Sequence, residues 1–468
     1  MNDTLLRTLP SVESLLESPD GRKLVERFGR EAFLKESRAA LDGLRAVILE
    51  DARPAPTEAD LAAALILARV LGRLEAKYAA SLERAVNATG ILMHSGLGRA
   101  ALSGAARAAL DTAAQGYCTL ALDLETGRRG QRDVRISRLL AELTGAEAAT
   151  LVNNNAAATV LILHALAKDK EVIVSRGQLV EIGGSFRMPD VMSMSGAVLR
   201  EVGTTNKTHL RDYAEAINEN TGAILRVHHS NYRIVGFAEE PGIEELAGLG
   251  RKHGLPVIDD VGSGALVDLR AFGLESEPMV AASVRAGADV VCFSGDKLIG
   301  GPQSGLIVGK AETVARIKKD PLARALRCGK LTIAALEATL KLFLAPEKLT
   351  EVHPFYRMLS LPLDGLRKRA GRAARGLAKV LPPEVRVDVV DSGSQVGSGS
   401  APVETIPTIC LSVASASPGP DELARALRLG TPPVFSRIHR DAVLFDFRTV
   451  LPGEDAIVAE AVRKAFGR

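Results

Sequence analysis

Short apolar runs alternate with amphipathic helical stretches from residue 85 to about residue 345, and this alternation constrains the fold most. Four of the runs read as strands, at residues 171–175, 197–202, 223–228 and 256–260. Dipeptides typical of tight hairpins are sparse between them, as expected when consecutive strands run parallel and are joined by helices. The sequence therefore predicts an α/β core with a doubly wound, mainly parallel sheet.

One lysine, Lys297, stands between the apolar run 288–293 and the glycine pair Gly300-Gly301. A surface lysine in a glycine-rich loop fits this stretch alone about as well as a reactive amine does. Enzymes that use pyridoxal phosphate (PLP) hold it as a Schiff base on such a lysine, because the amine must lose its proton in a partly dry pocket. Other segments have to decide between the two interpretations.

An acidic pair, Asp259-Asp260, ends the apolar run 255–258 upstream of the lysine. Ligands of open α/β sheets sit at the carboxyl ends of the strands. A carboxylate there would pair with the pyridine nitrogen of PLP, although an isolated acid at a strand end is more often a helix cap. The residues alone leave Asp259 and Asp260 both open for this role, and only the family resemblance given below selects Asp260.

Three asparagines follow the apolar run 149–152 and lead into an alanine-rich helix start. Amide groups at a helix N-terminus make a phosphate site, so Asn154, Asn155 and Ala156 become candidates for binding the cofactor phosphate. An ordinary N-cap is compatible with the same residues. The order of phosphate site, acid and lysine is that of the aspartate-aminotransferase-like class, the fold type I PLP enzymes.

Composition agrees with a large enzyme of the cytoplasm. The chain has 468 residues, so we expect two or three domains. Its 46% apolar and 25% charged residues exclude a mainly disordered chain, and a net charge of +3 is too small to indicate nucleic-acid binding by itself. The four cysteines have no metal-binding spacing, and we find neither a signal peptide nor a membrane span.

The chain divides into three predicted domains. Residues 1–84 read as a small helical domain, with a break at 54–57 and a long helix from about 59 to 84. Residues 85–345 form the predicted PLP core, and a helix at 332–343 leads out of it. Residues 346–468 form a predicted α+β domain with a basic helix around 367–379 and a Gly/Ser loop at 392–400.

Separated motifs in one order carry a family resemblance that extends from about residue 8 to the C-terminus. They are VNATG (86–90), HSGLGR (94–99), NNNAA (153–157), VEIGGSFR (180–187), EVGTTNKTH (201–209), SNY (230–232), DVGSG (260–264), GDKLIGG (295–301), RALR (324–327) and TPPV (431–434). With them the chain resembles the bacterial selenocysteine synthases, the L-seryl-tRNA(Sec) selenium transferases. Ser95-Gly96, Gln178, His229 and Gly329 depart from the residues usual in that family.

The resemblance implies a reaction and its partners. Seryl-tRNA(Sec) would lose water by PLP-dependent β-elimination, and selenium from selenophosphate would add to an aminoacrylyl intermediate still attached to the tRNA. Lys297 would hold PLP and move the α-proton, and Asp296 would protonate the departing hydroxyl. The family further implies a homo-oligomer, a decamer built from dimers, and tRNA binding by residues 1–84.

The remaining site residues also follow from the resemblance. Arg99, Arg324 and Arg327 would bind the selenophosphate anion, and the last two share a helix face if the segment after Pro321 is helical. Asn231 would lie on the side of the cofactor's phenolic oxygen. Further possible lining residues are His94, Thr204 and Thr205, with the two threonines reaching in from a neighbouring subunit.

Two rival functions stay open at this point. One is a PLP lyase that acts on a small amino-sugar acid without tRNA; such relatives are expected to lack the N-terminal helical domain. The other is a tRNA-binding scaffold that has lost catalysis, against which intact Lys297, Asp296, Asp260 and the three arginines argue.

Overall fold

The computed structural model describes residues 2–49, 57–184, 186–275 and 277–467. Its contacts divide the chain into two compact units, Met1–Arg84 and Ala85–Arg468. The predicted break at 54–56 and the motif residue Ser185 lie outside the described residues. The further division of the second unit at 345/346 stays a prediction.

The first unit is a small bundle of short helices. They are α1 (Asn2–Thr8), α2 (Val12–Glu17), α3 (Pro19–Phe28), α4 (Arg30–Leu49) and α5 (Ala63–Tyr78). Ser11 and Ser18 cap α2 and α3, since each side chain accepts a hydrogen bond from a first-turn N–H group. The unit has its own apolar core, in which Leu15, Phe33 and Leu41 are fully buried.

The long helix predicted from about 59 to 84 is wrong. A single 3-10 turn, Glu58–Leu61, comes first, and α5 ends at Tyr78. The Thr57 N–H and hydroxyl both donate to Asp60, at 2.8 and 2.7 Å, which closes one tight turn. Ala62 is then extended, with φ −61° and ψ 136°, so the α-helix has to start afresh after it.

The second unit contains all the strands that the described residues form. In chain order they are β1 (Val86–Asn87), β2 (Ala148–Val152), β3 (Glu171–Ser175), β4 (Glu181–Ile182), β5 (Phe186–Arg187), β6 (Val198–Val202), β7 (Thr221–Val227), β8 (Val257–Gly262), β9 (Val290–Ser294), β10 (Gly305–Gly309), β11 (Arg386–Ser394), β12 (Ile406–Ala414), β13 (Val434–Phe435), β14 (Arg437–His439) and β15 (Ala442–Asp446).

Seven of these strands form the central sheet, in the order β2-β10-β9-β8-β7-β3-β6. Every neighbouring pair is parallel except those of β10, which is antiparallel to both β2 and β9. Both faces are covered, since alternate residues of β9 enter different apolar clusters: Val291 and Phe293 in one, Val290 and Cys292 in the other. The predicted mainly parallel α/β core is confirmed.

Helices cover this sheet and lead into the second half of the unit. They are α6 (Gly104–Ala114), α7 (Val134–Thr144), α8 (Asn155–Ala167), α9 (Met188–Met194), α10 (Leu210–Ala216), α11 (Ile243–His253), α12 (Val280–Ala286), α13 (Ala311–Lys319), α14 (Pro321–Ala325), α15 (Lys330–Leu342), α16 (Leu349–Val352), α17 (Pro354–Ser360), α18 (Leu363–Leu377), α19 (Pro420–Arg428) and α20 (Asp455–Ala465).

The C-terminal part adds a four-stranded antiparallel sheet, ordered β11-β12-β15-β14. The short strand β1 pairs in parallel with β13, so residues from both ends of the unit meet. The predicted Gly/Ser loop at 392–400 begins too early, because β11 continues to Ser394 and pairs there with Ile406.

Candidate active site

Lys297 lies in the connection between β9 and β10, and this connection is packed on both sides. The side chain is only 7% exposed. The Tyr356 hydroxyl donates to the Leu298 carbonyl at 3.2 Å, and His353 Nε2 lies 2.8 Å from the Ile299 carbonyl oxygen. The turn is therefore held in place by α17 and by the residue before it, and the lysine cannot swing freely into solvent.

Charged groups of both signs surround the Lys297 amine. Burial lowers its pKa and the nearby Arg99 lowers it further, whereas Asp260, Glu277 and Asp296 act in the opposite direction. We call these five residues the Lys297 centre. A buried amine with a lowered pKa is a candidate for covalent and proton-transfer chemistry.

Asp260 is fixed by three donors at the carboxyl end of β8. One carboxylate oxygen accepts from Asn155 Nδ2 at 2.8 Å and from the Gly262 N–H at 3.1 Å. The other oxygen accepts from the Thr159 hydroxyl at 3.0 Å. Burial raises the pKa of Asp260, and the hydrogen bonds from Asn155 and Thr159 oppose that rise.

Asp259 faces the other side of the same strand. Its side chain is 0% exposed, and Arg226 Nη1 lies 3.2 Å from its Oδ1. Successive side chains of a strand point to opposite faces, so only one acid of the pair can face Lys297. That acid is Asp260, which is among the groups that act on the lysine pKa.

The asparagine segment forms the start of α8 and gives its members different roles. Asn154 is the N-cap and accepts from the Ala157 N–H at 2.8 Å. Asn155 turns towards Asp260, and its own Oδ1 is buried with no hydrogen-bond partner. Ala156 belongs to the first turn, whose N–H groups have no partners within a helix. These residues make a polar, anion-accepting helix end next to Asp260.

Arg99 and Asp296 form an ion pair beside Lys297. Arg99 Nη1 lies 2.6 Å from Asp296 Oδ2, and Asp296 is buried. Arg99 has φ +64°, a left-handed conformation that only a few per cent of non-glycine residues adopt. The fold therefore keeps Arg99, whose guanidinium group pairs with Asp296, in an energetically unfavourable backbone conformation.

Glu277 is a member of the Lys297 centre that the sequence did not reveal. It is 9% exposed, burial raises its pKa, and one carboxylate oxygen accepts from the Ala401 N–H at 2.5 Å. Its Oε2 is buried and has no hydrogen-bond partner. No strand or helix pattern near residue 277 pointed to it, because a loop contact brings it to the lysine.

Two further residues of the site were also missed. Thr159 lies four residues after Asn155 on α8, and this spacing put both on one helix face, so the sequence held a usable signal. His228 follows β7, and its pKa falls to about 4 chiefly through burial, with Arg226, His229 and Lys297 adding to the effect.

The predicted lining residues are less closely tied to the lysine. Asn231 is exposed and donates to the Glu181 carbonyl at 2.8 Å. Thr204 is exposed and bonds to Lys207, and Thr205 lines a pocket together with His228 and His229. His94 precedes the turn that carries Arg99, and its Nδ1 is buried without a hydrogen-bond partner. The roles of all four stay predictions.

Arg324 and Arg327 do not share one helix, which corrects the expectation of a common helix face. Helix α14 ends at Ala325, so Arg327 follows it in an irregular segment. The Asn153 N–H donates to the Leu326 carbonyl at 2.9 Å, which anchors the segment beside the start of α8.

Four guanidinium groups line one pocket of about 530 Å³ here. They belong to Arg129, Arg132, Arg324 and Arg327, and we call this the arginine pocket. Arg132 Nη1 donates to the Cys328 carbonyl at 3.1 Å. The pKa of Arg327 is lowered, chiefly because Arg132 is close. Arg99 belongs to the Lys297 centre instead, so within one chain the predicted three-arginine fork is divided between two places.

The residues of the Lys297 centre and the start of α8 fit PLP. The centre offers an amine for the aldehyde and a buried carboxylate for the ring nitrogen, and the start of α8 offers a helix end for the phosphate. The unpartnered buried atoms His94 Nδ1, Asn155 Oδ1 and Glu277 Oε2 are also expected where a polar ligand completes a site.

The sheet order, the lysine turn and the acid at the end of β8 together define a PLP-dependent transferase of fold type I. A solved structure titled D-glucosaminate-6-phosphate ammonia-lyase has the same fold, with a TM-score of 0.58 and 21% identity, covering 82% of this chain and 96% of that chain. The predicted fold class is confirmed.

Sequence comparisons identify the family. The family model for L-seryl-tRNA selenium transferase matches residues 85–451, and the one for the selenocysteine synthase N-terminal region matches residues 6–45. The L-seryl-tRNA(Sec) selenium transferase of Geobacter sulfurreducens is 47% identical over 98% of this chain and 99% of its own length. That of Nitratidesulfovibrio vulgaris is 47% identical over 99% of both chains. The chain belongs to the L-seryl-tRNA selenium transferase family, a family of PLP-dependent enzymes.

Across the described residues, no helix combines the length and the apolar character that a membrane crossing requires.

Proposed function

We propose that this chain converts L-seryl-tRNA(Sec) into L-selenocysteinyl-tRNA(Sec), with selenophosphate as the selenium donor. The Lys297 centre carries the proposal, because it combines a buried amine of lowered pKa with three carboxylates that act on that amine. The substrates follow from the activity for which the relatives are named, L-seryl-tRNA(Sec) selenium transferase.

PLP, when bound, supplies an electron-withdrawing ring that acidifies the Cα–H bond of the seryl group. Lys297 would hold its aldehyde carbon, and Asp260 would pair with its ring nitrogen. The start of α8, with Asn154, Asn155 and Ala156, would receive its phosphate. Asn231 would lie on the side of the phenolic oxygen. The hydrogen bonds from Asn155 and Thr159 support this arrangement, because they fix the orientation of Asp260.

Two proton transfers are assigned to neighbouring residues. The Lys297 amine takes the proton from Cα, a step that needs the neutral amine and therefore benefits from its lowered pKa. Asp296 gives a proton to the hydroxyl on Cβ, which leaves as water. Its Oδ2 accepts a hydrogen bond from Arg99, which holds the carboxyl group in place. Selenium of selenophosphate then forms the new bond to Cβ while the Lys297 ammonium returns the proton to Cα, and water cleaves the selenium–phosphorus bond with release of phosphate.

The selenophosphate anion is assigned to Arg99, Arg324 and Arg327, which offer planar donors to its oxygens. The hydrogen bond from Asn153 to Leu326 supports a link between the arginine pair and the cofactor site, since the same turn bears Asn155. His94 lines the site, and Thr204 and Thr205 line it from a neighbouring subunit.

The tRNA body is assigned to residues 1–84, which carry their own apolar core. A family model for the N-terminal region covers part of them, at residues 6–45. The proposal includes a homo-oligomeric enzyme, a decamer built from dimers, that works in the cytoplasm.

A conversion assay tests the function directly. Purified chain with PLP, seryl-tRNA(Sec) and selenophosphate should yield selenocysteinyl-tRNA(Sec). Conversion of a free amino-sugar acid instead would favour the lyase. Absence of a PLP absorbance band together with retained tRNA binding would favour the scaffold. No observation on this chain favours either rival over the transferase.

A further inference from the structure

The arginine pocket gathers more positive charge than the two family-matched arginines explain. Six cations line it, with Asp133 as the sole carboxylate among its lining residues. Asp133 is already engaged, because Lys318 Nζ lies 3.0 Å from its Oδ2 and the Thr150 hydroxyl donates to the same oxygen at 3.0 Å. The four guanidinium groups therefore share one pocket with little compensating negative charge.

The fold holds two of these arginines together. Arg132 donates to the Cys328 carbonyl, directly after Arg327 in the chain. The Cys328 thiol in turn donates to the Val152 carbonyl at the end of β2, at 3.1 Å. Arg132 and Arg327 are thus tied to the same strand end, and their closeness does not depend on flexible side chains meeting by chance.

Like charges held together repel each other, and a site gains from this only when a ligand brings the opposite charge. The lowered pKa of Arg327, caused first by Arg132 and then by burial, Arg324 and Arg129, reports that repulsion. A compact oxyanion would satisfy several guanidinium groups at once through paired N–H donors. A pocket of about 530 Å³ has room for such an ion.

We propose that Arg129 and Arg132 complete, with Arg324 and Arg327, a four-guanidinium pocket for a phosphate-type oxyanion. The ion is either selenophosphate itself or a backbone phosphate of the bound tRNA. This inference rests on the proposed function for its physiological ligand, whereas the pocket's affinity for phosphate does not depend on that function.

The test titrates inorganic phosphate into the full-length, PLP-loaded protein by calorimetry. Arg129→Gln leaves the contact between Arg132 and Cys328 in place, Arg132→Gln removes it, and Arg132→Lys keeps the charge. Arg135→Gln is the matched control, because Arg135 is exposed on α7, outside the pocket, with Glu337 4.0 Å away. We expect each Gln variant to weaken phosphate binding about tenfold, Arg132→Lys to weaken it less, and the control to match the wild type.

Two further measurements on the same variants distinguish the sources of the oxyanion. A raised selenophosphate requirement with unchanged seryl-tRNA affinity identifies the free anion. A lowered seryl-tRNA affinity with an unchanged selenophosphate requirement identifies a tRNA phosphate. Phosphate binding that is equal in wild type, Arg129→Gln and Arg132→Gln overturns the pocket. Phosphate binding by a wild type that transfers no selenium would leave the pocket standing and reject the proposed function alone.

Discussion

At the Lys297 centre a buried lysine and a half-buried arginine lie among three buried carboxylates, whereas in the arginine pocket four guanidinium groups share one carboxylate that is already engaged. Both regions adjoin the start of α8, through Asn155 in one case and through Asn153 in the other. They nevertheless differ in charge balance, because the Lys297 centre combines charges of both signs and the arginine pocket carries mainly positive charge.

The difference separates two tasks of a catalytic site. Burial with compensating charges moves pKa values and prepares proton transfer without attracting ions. Exposed charges of a single sign leave the protonation of nearby groups largely alone and attract an anion. Substitutions in the two regions should therefore fail in different ways.

Lys297→Ala should have the largest effect, with complete loss of the bound PLP chromophore and of turnover. No other described residue combines a strand end, a glycine turn and burial of an amine. Absorbance and borohydride trapping measure the outcome. Lys310→Ala is the control, because Lys310 pairs with Asp289 at 2.6 Å and should retain PLP. A borohydride-reducible adduct in Lys297→Ala would place the cofactor on another amine.

Replacing Arg324 and Arg327 together with Ala should leave PLP bound and tRNA associated but block selenium incorporation. Loss of two charge-assisted contacts should cost about 3 kcal/mol or more, a factor of at least ~100 in the selenophosphate dependence. Arg316→Ala, on the exposed side of α13, serves as the control. An unchanged selenophosphate dependence in the double variant would remove both residues from the anion site.

The burial around the Lys297 turn should also appear as a pH dependence of stability. Burial lowers the pKa of His353 to about 4. Its Nδ1 is buried without a hydrogen-bond partner, so a proton added there would find no acceptor. Because the unfolded chain takes up this proton near pH 6.5 and the folded chain only near pH 4, stability should fall as the pH drops through that window, by about 1–3 kcal/mol.

Chemical denaturation at several pH values measures this loss. His353→Gln, which cannot titrate, should reduce the pH dependence, whereas substitution of the exposed His439 should leave it unchanged. An equal slope in His353→Gln and wild type would assign the pH dependence to other groups.

Deleting residues 1–80 should have the smallest effect of these changes. This N-terminal unit shows a third arrangement of charge, in which some cations are paired with acids, Arg27 with the exposed Glu75 and Arg73 with the buried Glu36. We expect intact folding and PLP absorbance, tRNA binding weakened at least tenfold, about 1.4 kcal/mol, and in the full chain a shallow salt dependence of that binding. Conversion of seryl-tRNA by the truncated chain at the full rate would reject the assigned role.

The sheet was largely predictable because buried parallel strands read as continuous apolar runs. The strand at residues 171–175 matches β3 in full, and the other three predicted strands differ by at most two residues at either end. The long N-terminal helix failed because its interruption at Ala62 involves neither glycine nor proline, the residues that usually mark a helix boundary.

The candidate site was predictable only where its residues lie in local motifs. Lys297, Asp260 and Asn155 follow strand ends, and the sheet brings such ends together. Glu277 and Arg132 reach their places through tertiary contacts with Ala401 and Cys328, which leave no local pattern in the sequence. The sequence also could not show that α14 ends before Arg327. Arg132 and Asn153 hold the following segment by long-range hydrogen bonds, which leave no local pattern.

Because β10 is antiparallel to β9, we expect the parts of this site to form at different stages of folding. Ser294 and Gly305 are paired, so the segment bearing Lys297 closes over a few residues between adjacent strands. The contact between Asn155 and Asp260 has to close a separation of 105 residues, which costs about 2 kcal/mol more in chain entropy. The lysine turn can therefore form from local contacts before its carboxylate partner arrives. The rate at which a refolding chain binds PLP would therefore report when the long-range contact between Asn155 and Asp260 forms.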